Sequence, residues 1–384
     1  MRDDGEETEY DRLILSTGSR PFVPPGVPVD LPRVFTMRTR EDADRARACV
    51  KPGCRALIMG GGLLGIELAA SLDAGGVECA VVNLTPRLMQ VQLDETAGTL
   101  LRRELEDRGI AIHNGDLLET YHTDEDGAFC GATTKGGVRI DADVLFVAVG
   151  TRPNIGYLEG TGLETNRGVV VNDQLQTADP RIYALGEIAE HRGMLYGITA
   201  GAQEQADVAA RHVAGDPWAA YEGSTLFNIL KIHGRDVRSA GVSELPEGAE
   251  EDPEWEDVVF SDTRRRVYQR CILHRHRLVG AQFIGDAGPW DACKRLLDSR
   301  IELQEERDTL LRPAAGGEAK PAVKGRLVCT CNQVGEGNLT DLIRDGVVDL
   351  ETLCANSRAG TGCGSCRPEV QMLLDKTLAT PEAT

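Results

Sequence analysis

The chain has 384 residues, 41% of them hydrophobic and 27% charged, with a formal net charge of −19 at pH 7. This is ordinary for a globular protein of two or three domains, and acidity without a basic block excludes a nucleic-acid or anionic-membrane surface. No apolar run reaches the roughly 18 residues of a membrane helix, and the acidic start "MRDDGEETEYD" is no signal peptide, so a cytoplasmic location is expected.

In chain order, "YDRLILSTGSRP" (10–21) reads as a buried strand ending in a Gly turn, and "PFVPPGVPVDLP" is too rich in proline for regular structure. From Arg55 the pattern alternates. "RALIMG" is a strand, "GIELAASLDAGG" a helix closed by Gly-Gly, "ECAVVNL" a strand and "DETAGTLLRRELEDRGI" a helix. "GVRIDADVLFVAVG" ends in an apolar strand. Such alternation predicts an α/β fold, a parallel sheet with helices on both faces. An Ala-rich helix is expected near 199–213, β-rich segments over 223–286, a helix over 288–312, and a linker at 312–325. "HRHR" (274–277) falls where a hairpin turns, so it reads as a solvated turn rather than a metal site.

"MGGGLLGIE" places Gly60, Gly62 and Gly65 in G-x-G-x-x-G directly after a strand and at the opening of a helix. The first glycine permits the tight turn, the second the approach of a pyrophosphate, the third close helix–strand packing. The helix N-terminus then offers free N–H groups to the phosphates. In this context the motif predicts dinucleotide binding. An acid ending the next strand would grip a ribose hydroxyl; here Asn83 stands there, with Arg87 four residues on, and NAD and NADP both stay open.

Eleven cysteines, an odd number, do not suggest a disulfide framework in a reducing compartment. Four are grouped: Cys329 and Cys331 as C-x-C, Cys363 and Cys366 as C-x-x-C. The segment around them has no aromatic residue and is too small to fold on apolar burial alone. It reads as three short helices, the second capped by Asp349, the third begun by Pro368 with Val370, Leu373, Leu374 and Leu378 on one face. Cys354 matches no ligand position and reads as helix core. A disulfide, a zinc ion and a [2Fe-2S] cluster are the alternatives that the spacing leaves.

"VCTCNQVGEG" followed by "AGTGCGSCRPEV" closely resembles the bacterioferritin-associated-ferredoxin-like [2Fe-2S] domain, which implies a cluster on Cys329, Cys331, Cys363 and Cys366. From Tyr10 to about Ala379 the chain resembles the flavoprotein part of the NAD(P)H-dependent assimilatory nitrite reductase large subunit, within the pyridine nucleotide-disulfide oxidoreductase superfamily. The landmarks are "YDRLILSTGSRPFVPP", "GGGLLGIELA", "VGTRPN" and "LQTADPRIYALGEIAEHRG". Segment 223–286 resembles the small C-terminal domain of rubredoxin-reductase-like flavoproteins.

The resemblance implies a Rossmann-like flavoprotein with two dinucleotide domains. It would divide into 1–50 (remnant of an FAD domain and crossover), 51–155 (NAD(P) domain), 156–218 (second part of the FAD domain), 219–311 (small α+β domain), the linker 312–325, and 326–384 (cluster domain). FAD contacts are then expected at Thr17, Gly18, Gly186 and Glu187, the last two standing where the superfamily has Gly-Asp. Gly150 of "VGTRPN" is a further cofactor position. Glu67, in the first turn after the fingerprint, is expected near the nicotinamide as the catalytic side chain. The family's first FAD-binding Rossmann unit, with a fingerprint of its own, has no counterpart here, so most of the FAD cradle is expected to be missing and the sequence to be entered midway. No sirohaem-binding half follows, so the chain is not expected to reduce nitrite itself.

The implied function is electron transfer: hydride from NAD(P)H to FAD, then single electrons through the [2Fe-2S] cluster to a nitrite or nitrate reductase partner. One alternative is a reductase of rubredoxin, ferredoxin or another small acceptor. The other is a truncated, non-catalytic module that binds nucleotide and cluster. Self-association into a homo-oligomer stays open.

Overall fold

Strand Arg55–Met59 lies third of five in a wholly parallel sheet, ordered Val34–Thr36, Val144–Val147, Arg55–Met59, Glu78–Asn83 and Ala111–Asn114. The chain was analysed as a computed structural model that describes residues 7–232, 234–303, 310–311 and 322–379. It divides into two units, Met1–Arg20 with Thr151–Leu226 and Pro21–Gly150 with Phe227–Thr384.

Side chains alternate across the five-stranded sheet as a pleat requires. Ile58, Val81 and Phe146 face the helices Leu63–Ala74 and Glu95–Glu106, packing with Ile66, Ala69, Leu101 and Leu105. Leu57, Met59, Val82 and Leu145 face the other way, against Phe129 and Ala132. Those two belong to a three-stranded antiparallel sheet, Leu118–Thr123, Phe129–Thr134 and Arg139–Asp141. The expectation of helices on both faces is therefore corrected: one face carries helices, the other a β-meander. The capped helix Arg40–Cys49 joins the helical face through Ala46, and Val34–Thr36 is an edge strand of the same sheet. Residues 1–50 are thus shared between the units rather than forming one piece.

The second unit also holds a five-stranded antiparallel sheet, ordered Phe227–Ile229, Val237–Gly241, Arg277–Ile284, Val267–His274 and Trp255–Asp262. "HRHR" turns its central hairpin, with Arg275 and His276 at φ 51° and 58°. Helix Trp290–Ser299 covers the sheet through Trp290, Cys293 and Leu297. It stops earlier than expected because Arg300 turns left-handed at φ 52° and Glu302 then bridges to Arg277; residues 304–309 lie outside the described residues. Asp94 binds this sheet to the parallel one. It caps helix Glu95–Glu106 by accepting the Ala97 N–H at 2.8 Å, and its carboxylate also accepts the Tyr268 hydroxyl at 2.6 Å and Arg270 at 2.8 Å.

The cysteine segment folds as the strands Leu327–Cys329 and Val334–Gly335 and the helices Glu336–Arg344, Leu350–Ser357 and Arg367–Ala379. Asp349 caps the second helix, accepting the Thr352 N–H at 2.9 Å. Cys354, Val370 and Leu374 are buried in a core continuous with the antiparallel sheet, but Leu378 faces solvent, so the apolar face of the third helix is shorter than its spacing suggests. Of the expected linker, 312–321 lie outside the described residues.

In the first unit, strand Leu13–Leu15 pairs in parallel with Ile182–Ala184, beside a sheet of Val169–Val171, Ala189–His191 and Met194–Leu195. Helix Thr199–Val213 is long and Ala-rich as expected. Leu15, Val169, Tyr183, Ile188 and Ala209 form its core.

Candidate functional site

The glycine loop joins the end of strand Arg55–Met59 to helix Leu63–Ala74, at the carboxyl edge of the parallel sheet, where α/β folds take their ligands. Gly60 sits at φ 118°, and a Cβ there would meet the Ala148 carbonyl oxygen at 2.4 Å. A Cβ on Gly65 would meet the Gly60 carbonyl at 2.0 Å, so only glycine lets helix and loop touch. Gly62 is different. It is the extended N-cap of the helix, has no side-chain cap, and opens onto empty space. The first N–H groups of the helix are thus presented with nothing in the chain covering Gly62, a fit for a dinucleotide pyrophosphate. The sequence reading missed Gly61, whose Cβ would strike Asn83 and Leu88 at 2.6 Å; the run of three glycines was its signal.

Asn83 is buried, and its amide is spent inside the chain. Its Oδ1 accepts the Gly61 N–H at 3.1 Å; its Nδ2 faces the Thr85 carbonyl at 2.9 Å, the Arg87 carbonyl at 3.0 Å and Asn114 Oδ1 at 3.1 Å. Arg87 is also engaged, donating to the Leu93 carbonyl at 3.1 Å and to Glu244 at 2.5 Å. Both residues shape the loop, and the Asn83 amide is turned into it rather than toward a ribose. Gly150 takes φ 100° with open space at its Cβ position, and its carbonyl accepts the Phe22 N–H at 2.9 Å.

Glu67 points from the fingerprint helix to the antiparallel sheet, where its carboxylate accepts the Lys231 backbone N–H at 2.9 Å. Burial lifts its pKa above the ordinary carboxyl value; the Lys231 N–H and charge oppose this, and the nearby Cys363 sulphur adds to the rise. The fold thus brings the glycine helix, the antiparallel sheet and the cysteine segment together within one unit. A cavity of about 240 Å³ opens beside this junction, between Lys231, Arg235 and Asp236 on one side and Thr330, Cys331 and Gln333 on the other.

All four grouped cysteines are free, and they converge. Sγ of Cys331 is 3.7 Å from that of Cys329 and 3.7 Å from that of Cys363, and the Cys366 thiol lies close enough to Cys329 to be lowered by it. Backbone N–H groups of Asn332 and Gly360 lie on the Cys329 sulphur, that of Cys363 on Cys331, and that of Ser365 on Cys363. Small residues make this closeness feasible: a Cβ on Gly362 would meet the Cys331 sulphur at 2.8 Å. The Cys331 sulphur and burial push the Cys363 thiol up to about 12, while the bond from Cys329 lowers Cys366. Among the described residues no three or more His, Cys, Asp or Glu side chains gather as around one metal ion. The C-x-C and C-x-x-C pairs nevertheless meet, with Cys331 3.7 Å from one sulphur of each pair, so the four thiols can serve as one ligand set.

In the first unit, Thr17 Oγ1 donates to the Asn154 carbonyl at 3.2 Å, and Gly18 takes φ 65°. Glu187 accepts the Ser19 hydroxyl at 2.7 Å; Gly186, at φ 76°, donates its N–H to Gln205 Oε1 at 2.7 Å. Gln205 is fully buried, yet its Nε2 has no hydrogen-bond partner among the described residues. An orphaned donor beside Gly186 fits a polar group of a cofactor, such as that expected from FAD. Ser19 and Gln205 were not found from sequence, because a lone Ser or Gln carries no pattern.

Three family models match the chain. The family model for pyridine nucleotide-disulphide oxidoreductase matches residues 1–212. The rubredoxin NAD+ reductase C-terminal domain matches 227–301, and the BFD-like [2Fe-2S] binding domain matches 327–376. The chain is 37% identical over 380 residues to a nitrite reductase [NAD(P)H] of Bacillus subtilis, covering 97% of this chain and 46% of that protein. It is 34% identical over 374 residues to the assimilatory nitrate reductase electron transfer subunit of the same organism, covering 95% and 47%. The chain thus spans about half the length of these curated relatives. Among solved structures, the covalent putidaredoxin reductase–putidaredoxin complex matches with a TM-score of 0.71 at 21% identity, over 79% of this chain and 73% of that one. At that identity the likeness shows the fold.

Proposed function

The chain belongs to the pyridine nucleotide-disulphide oxidoreductase family, and from that premise we propose that it is a cytoplasmic NAD(P)H-dependent FAD/[2Fe-2S] oxidoreductase that passes electrons to a nitrite- or nitrate-reducing partner. The observation that carries this reading is the meeting of the two cysteine pairs, Cys331 lying 3.7 Å from both Cys329 and Cys363, in the same unit as an uncapped glycine-loop helix. No described helix is long and apolar enough to cross a membrane.

The bound groups supply the redox chemistry, the flavin joining a two-electron donor to a one-electron acceptor. The chain's own part is to bind and orient. Gly60, Gly62 and Gly65 let a pyrophosphate approach the helix N–H groups, while Asn83 and Arg87 hold the loop in shape and Gly150 leaves room beside it. Glu67, braced by Lys231, keeps a carboxylate between this loop and the cluster cysteines. Thr17, Gly18, Gly186 and Glu187, with Ser19 and Gln205, are the flavin contacts that the first unit offers. Cys329, Cys331, Cys363 and Cys366 hold the irons, with backbone N–H groups on their sulphurs.

The rubredoxin-reductase-type domain favours one second reading, in which the acceptor is a small rubredoxin- or ferredoxin-like carrier. Flavin, iron and acid-labile sulphide analysis of the full chain tests the shared core. About one FAD and two irons per chain support it. Replacing any of the four cysteines by Ser should lower the iron content, whereas Cys354→Ala should retain it. A single zinc ion per chain would end the cluster reading. Transfer from NAD(P)H to purified acceptors then separates the two partners.

A further inference from the structure

Arg238 stands in strand Val237–Gly241 of the antiparallel sheet, with its side chain 3% exposed. A guanidinium keeps its proton in a protein, so this is a fixed buried positive charge. Its Nη2 donates to Asp236 Oδ1 at 3.0 Å and reaches the Cys331 carbonyl oxygen at 3.5 Å. Its carbon centre lies 5.8 Å from the Trp290 ring centroid. Its Nε is buried with no hydrogen-bond partner among the described residues. Among the described residues Asp236 is the one carboxylate paired with it, and that residue is part-exposed, so solvent weakens the neutralisation.

Cys331 Sγ lies 3.7 Å from the sulphurs of both Cys329 and Cys363. A buried cation therefore leans on the backbone of the residue that joins the two cysteine pairs, 93 positions away in sequence. Four thiolates around a cluster make a negative group, and reduction adds one more negative charge. A fixed positive charge in a weakly screened interior favours the form with the greater negative charge. We propose that Arg238 is a positioning residue for the iron–sulphur centre: it anchors the Cys331 loop to the antiparallel sheet and, by its charge, raises the reduction potential of the group held there. This rests on the cluster reading given above.

The test uses the full chain. Iron and sulphide are measured first in the unaltered protein; their absence overturns the cluster reading, and this inference with it. With the cluster present, potentiometric titration followed by electron paramagnetic resonance compares Arg238→Gln and Arg238→Lys. Arg238→Gln should lower the reduced-to-oxidised ratio at a fixed poise about tenfold, about 59 mV for one electron. Arg238→Lys, which keeps the charge but not the planar fork, should stay near the unaltered potential. Equal potentials in all three proteins, or equal falls in both variants, overturn the role of the charge. If Arg238→Gln loads no iron, Arg238→Lys decides alone: an unchanged potential supports the inference and a tenfold fall overturns it.

Discussion

Glu67 accepts the backbone N–H of Lys231 at 2.9 Å, a bond across 164 positions that joins the fingerprint helix to the antiparallel sheet. Burial, the largest influence on Glu67, holds its proton to higher pH in the folded chain than in the unfolded one. Above the ordinary carboxyl range the unfolded state then binds fewer protons, so stability falls as pH rises. Glu67→Gln keeps an oxygen acceptor and has no proton to lose. Urea unfolding at several values between roughly pH 5 and 7 should show the variant gaining on the unaltered protein as pH rises. Parallel curves would mean that the carboxyl is not perturbed.

Gly62 and Gly65 differ in what a methyl group would meet. At Gly65 it meets the Gly60 carbonyl at 2.0 Å, so Gly65→Ala should cost about 1–3 kcal/mol of stability. At Gly62 the backbone is extended and the space open, so Gly62→Ala should stay within about 0.5 kcal/mol. Its penalty should instead be weaker NAD(P)H binding, by about tenfold or 1.4 kcal/mol. Thermal unfolding and nucleotide titration together check the contrast. A Gly62→Ala protein that binds as tightly as before would remove the loop from the site.

Asn83 holds the place where an acid would grip a ribose, yet Asn83→Asp should not create an NAD site. Its Nδ2 faces the backbone carbonyls of Thr85 and Arg87, which cannot turn round to donate. A carboxylate there would leave them unpaired and repelled, at about 2 kcal/mol or more. Denaturant unfolding should record that loss, with no gain in NADH affinity. Tighter NADH binding in a stable variant would show that the amide is not structural.

Asp94 is buried with Arg270 and the Tyr268 hydroxyl. Asp94→Ala removes a helix cap and one of the two carboxylates on buried Arg270, which Asp257 still holds at 2.8 Å, and should cost about 2–3 kcal/mol. The double variant Asp94→Ala/Arg270→Met should lose less than the sum of the two single losses, because the bond between the two side chains is counted in both. Urea midpoints of the single and double variants measure this. Simple additivity would mean that the pair is not coupled.

Local patterns were legible in the sequence. The fingerprint needs only a strand, three glycines and a helix in succession, and Asp349 announced its helix two residues ahead of Glu351. What stayed hidden depends on pairs distant in the chain. Nothing near Glu67 points to Lys231, and nothing near Arg238 points to Cys331. The meander on the second sheet face was passed over although "DEDG" and "KGG" mark its two turns, because its strands are short and polar on one side. Asn83 was read by position, but its role is fixed by four neighbours that periodicity does not reveal.

The split of the cysteines into two pairs, with two helices between them, has a consequence for the order of events on the ribosome. The antiparallel sheet that receives this segment is complete at Ile284, and Cys329 and Cys331 emerge after it. Cys363 and Cys366 follow only once both intervening helices have been made. Domains fold largely as they emerge, so a finished platform awaits the thiols, while iron can be captured only at the close of this sequence of steps. A ribosome stalled between residues 331 and 363 would carry a folded platform with half of its sulphur donors.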